Sequence, residues 1–220
     1  MAIKHGHIIP LYILEPELWQ QLDLSFRHYK FLSELLLELK KEFQKIGNEL
    51  IIKIGDSLTI FNQIHKEHSV QTIYSPQETS NYWSYKRNKG IEKWTEEHCI
   101  KWIEWPNNRA ARDIVSRDKW SSNWYKEMTK SIISVPNYIN SVNIVSDCLP
   151  SVEYLKLDDE QYIAPQEGSR IVELKFLNTL LYDRDEKYYK ELSLHTSVVK
   201  SCSGISPYLA FGVLSMREVF

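Results

Sequence analysis

The chain has 220 residues, 43% of them hydrophobic, enough to bury a core in one large domain or in one complete domain plus part of a second. Seven glycines and eight prolines exclude collagen-like and low-complexity architectures. A formal net charge of −2 excludes the global basic field with which a self-sufficient DNA-binding protein holds phosphates.

In chain order, the first element is the apolar run His7–Leu14, rich in β-branched and aromatic residues and of strand length. Between Phe26 and Ile46 the residues Phe31, Leu32, Leu35, Leu36, Leu39 and Phe43 recur at spacings of three and four, which predicts an amphipathic helix stopped by Gly47. A second strand is expected at 50–54, then a helix capped by Asp56 and carrying Leu58, Phe61 and Ile64. A third strand at 70–74, a helix from about Asn81 to His98 and a fourth strand at 100–105 complete the alternation. Such alternation implies an α/β domain over residues 1–130, with a parallel sheet covered by helices.

Residues 131–165 hold Pro136, Pro150 and Pro165 without periodicity and read as a connector. From 166 to 220 the pattern is helical, with Ile171, Leu174, Leu177, Leu180 and Leu181 expected on one face. Both ends read as cut. Ala2–Gly6 looks like the last turn of a helix and its C-cap, and Ser215–Glu218 is a capping box that opens another helix.

Several chemistries have no motif here. Neither GxGxxG nor GxxxxGK[ST] nor GxSxG occurs, and His5 and His7 lack companions for a metal site. Cys99, Cys148 and Cys202 stand far apart, which reads as a reduced protein with buried thiols. Trp94, Trp102, Trp105, Trp120 and Trp124 read as core. With no secretory signal and no apolar run of membrane-span length, the expected location is cytoplasmic.

Four segments carry a resemblance. They are Pro10–Pro16, followed by Arg27 and Phe31-Leu32; Glu78–Arg87 with Trp94; Asn108–Arg112 with Arg117-Asp-Lys-Trp120 and Trp124; and Cys202–Arg217, in the pattern [TC]SxLSPxLxxGxxSxR. Together they resemble the photolyase/cryptochrome family of FAD flavoproteins over nearly the whole chain. The resemblance implies a Rossmann-like sheet of flavodoxin-like order that lacks its first, central strand. A connector and the beginning of an all-α FAD-binding domain would follow.

The resemblance also implies FAD, an antenna chromophore of open identity, and damaged DNA as partner of the intact relative, with no membrane. It places FAD contacts at Cys202, Ser203, Gly204, Ile205 and Ser206, and at Tyr189 with Tyr188 as the alternative. Amides and hydroxyls at a helix start suit a diphosphate in any case. Gly204 stands where the family often carries Arg. The expectation is a fragment of a deoxyribodipyrimidine photolyase-like flavoprotein, inactive alone, with a separately encoded C-terminal half as a candidate partner. The alternative is a fragment of a cryptochrome-type blue-light receptor. No catalytic residue can be placed in this segment. Without the central strand, the 8–14 and 70–74 strands are expected to stand apart or close imperfectly, with edges that invite aggregation.

Overall fold

The computed structural model describes residues 6–78, 80–105, 118, 120–158, 166–184 and 203–220. In order these form β1 (Leu11–Leu14), α1 (Pro16–Trp19), α2 (Phe26–Lys45), β2 (Ile51–Ile54), α3 (Ser57–His68), β3 (Thr72–Pro76), α4 (Tyr82–Glu97) and β4 (Lys101–Trp105). Then come α5 (Trp120–Met128), α6 (Arg170–Thr179) with a π-helical turn over Leu180–Arg184, α7 (Ser206–Ala210) and α8 (Met216–Val219). The chain divides into two compact units. One comprises residues 1–29, 39–115 and 135–163; the other comprises 30–38, 116–134 and 164–220.

In the first unit the expected strands and helices all form. Asp56 accepts from the Thr59 amide at 2.8 Å and Asn81 from the Ser84 amide at 3.0 Å, so α3 and α4 begin where the sequence supplies a capping side chain. After α2, Gly47 takes φ +78, and a Cβ there would lie 2.3 Å from Cε2 of Tyr138. Both the backbone angle and the ring demand glycine. The core gathers Leu14, Ile51 and Ile52 from the strands and Leu50 just before β2 with Ile60, Ile64, Ile91 and Trp94 from the helices. The Trp94 ring stacks on Phe61 with centroids 5.7 Å apart, and its indole N–H donates to Asn62 Oδ1 at 2.7 Å.

The four strands do not form one sheet. β1 pairs with β2 in parallel, Leu11 opposite Ile51, and β3 pairs with β4 in parallel, Thr72 opposite Lys101. Among the described residues no strand joins the two pairs. The outer edge of β2 is covered by the proline-bearing segment read as a connector. The Ile52 amide donates to Ser146 Oγ at 3.0 Å, the Asp147 amide to Ile52 O at 2.8 Å, and the Ile54 amide to Asp147 Oδ2 at 3.0 Å. The open edge of that pair is therefore on β1.

A polar link joins the carboxyl ends of the two pairs. Glu15 directly follows β1 and is 3% exposed, and Glu78 closely follows β3. Arg87 of α4 reaches both, donating from Nη1 to Glu15 Oε2 at 2.5 Å and from Nη2 to Glu78 Oε2. The other oxygen of Glu15 accepts from the Ser57 hydroxyl at 2.5 Å and from its amide at 3.2 Å, at the first residue of α3. One arginine thus joins the carboxyl ends of β1 and β3.

Two expectations change. Cys99 and Cys148 are exposed free thiols, because both lie in connecting segments outside the core. Trp94 is core, but Trp105 and Trp120 are about half exposed, the first ending β4 and the second opening α5. Ala2–His5 lies outside the described residues.

Because removing one partner leaves a buried charge unpaired, Arg87→Met should cost about 3 kcal/mol of unfolding free energy. Arg87→Met combined with Glu15→Gln should recover a large part of that loss. Urea denaturation of the wild type and both variants measures it; equal stability of the single variant and the wild type contradicts the assignment.

Candidate functional site

The second unit is organised around α6 and α7. Its core holds Phe31, Leu32 and Leu36 from α2 with Met128, Leu177, Ile205, Tyr208 and Leu214. Tyr208 is wholly buried, its ring packing edge-on against Phe31 with centroids 5.1 Å apart and its hydroxyl donating to Glu167 O at 2.7 Å. Ser169 stands at the N-cap of α6 without a side-chain capping bond. Carboxylates of α2 take that role instead: Glu34 accepts from the Gly168 amide at 2.7 Å and Glu38 from the Arg170 amide at 3.3 Å. Gly168 has no room for a side chain, since a Cβ would lie 2.3 Å from Phe31 O.

Of the residues singled out from sequence, Tyr188, Tyr189 and Cys202 lie outside the described residues, as do Asn108–Arg112 and Arg117. Ser203, Gly204, Ile205 and Ser206 lie together at the entry to α7. Ile205 is its N-cap and is buried, Ser206 is its first residue and is exposed, and Pro207 follows. The first-turn amides have no carbonyl partner inside the helix, and Pro207 contributes none. Gly204 takes φ +68, and its carbonyl accepts from Gln166 Nε2 at 2.8 Å. The nearest atom to a Cβ at Gly204 would be that Nε2 at 3.4 Å, so glycine is required there by the backbone angle and not by crowding.

The capping box at Ser215 is present. Glu218 Oε2 accepts from the Ser215 amide at 2.8 Å, and Glu218 Oε1 takes a hydrogen bond from Arg170 Nη2. Arg170 Nη1 also donates to Val213 O at 2.5 Å, tying α6 to the turn before α8. Burial pushes the Glu218 carboxyl up, but the hydrogen bonds from Arg170 and Ser215 outweigh it and hold the group below the ordinary carboxylate range.

Glu173 was not flagged by the sequence. The helical periodicity put Ile171, Leu174 and Leu181 on the buried face, yet these are 65%, 40% and 51% exposed. Leu177 and Glu173 occupy the interior, Glu173 with no exposed surface and neither carboxyl oxygen hydrogen-bonded among the described residues. Burial raises its pKa to about 7, with Arg170 opposing and Glu218 adding to the rise. A charged residue inside a helical pattern reads as its solvated side, so composition gave no signal for this one.

Comparison with known proteins places the chain. A family profile described as DNA photolyase matches residues 1–114. The chain belongs to the DNA photolyase family. It is 21% identical to cryptochrome-1 of Anopheles gambiae over 97% of its own length and 45% of that protein's. It is also 21% identical to a deoxyribodipyrimidine photo-lyase of Synechococcus, over 99% of its own length and 48% of that protein's. Among solved structures, a Synechocystis cryptochrome matches with a TM-score of 0.74 at 20% identity, over 99% of this chain and 50% of that one. An archaeal photolyase from Sulfolobus tokodaii, solved with two FAD molecules, matches with a TM-score of 0.66 at 22% identity, over 99% and 49%. The chain therefore spans about half the length of the relatives it matches. The photolyase-family fold is shared, and the two small parallel sheets correspond to the family's N-terminal α/β domain. Among the described residues no helix is long and apolar enough to cross a membrane.

The buried Glu173 of this family member gives a pH signature. A carboxyl whose folded pKa is raised favours the native state when protonated, so its contribution is fully present below about 4.5 and is lost as pH rises toward 7. Glu173→Gln should remove that loss, raising stability at pH 8 by about 2–3 kcal/mol while leaving it nearly unchanged at pH 4. Thermal melts of both proteins from pH 4 to 8 measure it; parallel curves contradict the assignment.

Proposed function

We propose that these 220 residues form the α/β half and the phosphate side of the flavin site of a photolyase-type flavoprotein that repairs pyrimidine dimers in DNA with light. In this reading residues 1–130 are the α/β domain, 131–165 the connector and 166–220 the start of the helical FAD-binding domain. The reading is carried by one observation: Ser203–Ser206, the part of the family's [TC]SxLSP pattern that is described, enters a helix in a chain of this family.

The donor set fits a diphosphate in kind. Ser206 is exposed at the first turn, the adjacent amides lack intrahelical partners, and Gly204 lets the backbone approach a ligand closely. In the proposed site Ser203, Ser206 and these amides hold the FAD phosphates, with Cys202 and Tyr189 completing the contact. When bound, the flavin supplies the light-driven electron chemistry, and the protein orients it and excludes water. An antenna chromophore and a lesion flipped out of damaged DNA belong to the same proposal.

The site is one-sided, which is why the proposal makes this chain inactive alone. Helix-end electrostatics contribute only about 0.3–1 kcal/mol when exposed, against roughly 8 kcal/mol behind micromolar affinity. Tight cofactor sites bury most of the ligand, and in this proposal residues beyond these 220, such as those of a separately encoded C-terminal half, supply the remaining walls.

A second reading is favoured by the cryptochromes among the relatives: a blue-light receptor on the same fold, without repair activity.

The test is visible absorption after incubation with FAD and desalting, for this chain alone and co-expressed with the C-terminal half of the Synechococcus relative. A colourless single chain and a flavin band in the pair are expected. A near-stoichiometric flavin band in the single chain overturns the inactive-fragment reading, and no flavin in either overturns the flavin site. In the flavin-bearing pair, light-dependent loss of pyrimidine dimers supports repair, and none supports the receptor.

A further inference from the structure

In the first unit α3 ends at His68 and α4 at Glu97, and each leads directly into a strand, β3 and β4. Their C-termini therefore lie at the amino ends of those strands, away from the carboxyl ends that Arg87 joins. His65 stands in the last turn of α3, and His98 caps α4. The two imidazole rings have centroids 5.3 Å apart at an angle of 79°. Trp94 packs against both, with centroids 5.9 Å from His65 and 4.8 Å from His98, and is itself fixed by its stack on Phe61 and its bond to Asn62. The tautomer of His98 follows from its partner. Its Nδ1 lies 2.9 Å from the Trp94 carbonyl oxygen, which can only accept, so Nδ1 carries the proton and Nε2 of the neutral ring presents its lone pair. His65 Nδ1 is buried and has no hydrogen-bond partner among the described residues. A buried ring nitrogen without a protein partner is costly, and a bound ion is one of the few groups that satisfies it.

We infer that His65 and His98 form a clip for one borderline divalent transition-metal ion such as Zn²⁺, held through His65 Nδ1 and His98 Nε2 and completed by water. Imidazole nitrogen is a ligand that such ions prefer, whereas Mg²⁺ and Ca²⁺ take oxygen. Two imidazoles that share one tetrahedral ion, each at a metal–nitrogen distance of about 2.0–2.1 Å, have ring centroids about 5 Å apart. His65 and His98 stand at that separation. The bond from His98 Nδ1–H to a backbone carbonyl is the outer contact by which metal-binding histidines fix ring and tautomer. Charge favours the same occupant. The C-terminal turns of α3 and α4 meet at this ring pair, and the unpaired carbonyls at helix C-termini form the negative end of the helix dipole, which attracts a cation. Among the described residues no group of three His, Cys, Asp or Glu side chains is placed to hold a metal. Water therefore fills the remaining positions, and the clip binds more weakly than a closed four-ligand site. The bound ion fastens the end of α3 to the end of α4. The clip lies wholly in the α/β unit and involves neither the flavin site nor a further polypeptide.

The test is a Zn²⁺ titration of the full chain, without an added histidine tag, followed by long-range proton–nitrogen correlation spectra of the imidazole rings. The ring nitrogens of His65 and His98 should shift together along one binding curve, while those of His28 and His68 stay in place. Mg²⁺ should move neither ring. His98→Gln alters an exposed residue and should melt like the wild type without zinc, yet bind zinc weaker by roughly ten-fold or more. Cys99→Ser, which removes the exposed thiol beside His98, should leave both shifts intact. Five results overturn the inference: no imidazole shift with zinc up to roughly 1 mM, a shift of only one of the two rings, an equal response to Mg²⁺, unchanged zinc affinity in His98→Gln, or loss of the shifts in Cys99→Ser. The last would make the thiol the anchor, and the first would leave the ring pair as edge-to-face packing alone.

Discussion

One part-buried guanidinium ties together the two strand pairs of the α/β unit. Arg87 is the link that brings the carboxyl ends of β1 and β3 to a common point, and it does so with Glu15, which is 3% exposed and also bonded to the first residue of α3. Continuous parallel sheets do not need such a link, because ladder hydrogen bonds run from strand to strand. Among the described residues each ladder stops after two strands, and a charge network aligns the pairs at one end. A network of this kind is weak evidence for large stability, since desolvation offsets much of the Coulombic gain. It is directional, however, and it fixes which ends of the strands meet. The same network shapes its surroundings: burial first, and then the Glu15 charge, push the Tyr12 phenol well above its ordinary range.

The second unit shows the opposite economy. Its aromatic centre, Tyr208 against Phe31 and Phe176, is well satisfied, with the hydroxyl bonded to Glu167 O. Beside it Glu173 is buried without a hydrogen bond among the described residues, and Arg170 offers its donors to Val213 and Glu218 instead. The interior of this unit thus sets a satisfied aromatic centre beside a carboxyl that no described residue hydrogen-bonds.

Local structure was legible where a single side chain decides it. Asp56, Asn81, Gly47 and the Ser215–Glu218 box each act where the spacing placed them; β1, β2 and β4 fall within their apolar runs, and β3 runs two residues past its own. The family could be read from short motifs, and two of them, Pro10–Pro16 and Glu78–Arg87, lie within the matched residues 1–114. Less legible were features set by long-range contact. The segment around Ser146 and Asp147 has no periodicity, yet it seals the edge of β2 through a hydroxyl and a carboxylate. The bonding of Glu15 to Ser57 and Arg87 spans 42 and 72 positions, so no local window contains it. Glu173 was hidden for a different reason: polarity alone assigns a glutamate to the solvated face, and only the packing of α6 reverses that.

The central claim is that β1 and β3 are held at one end and left open between. Backbone NOEs in the isolated chain test it most directly. The account predicts none between Leu11 or Ile13 and Thr72 or Tyr74, with the two strands two ladder spacings apart, roughly 10 Å. Cross-strand NOEs placing β1 and β3 at a single spacing of about 5 Å would show a continuous four-stranded sheet and contradict it.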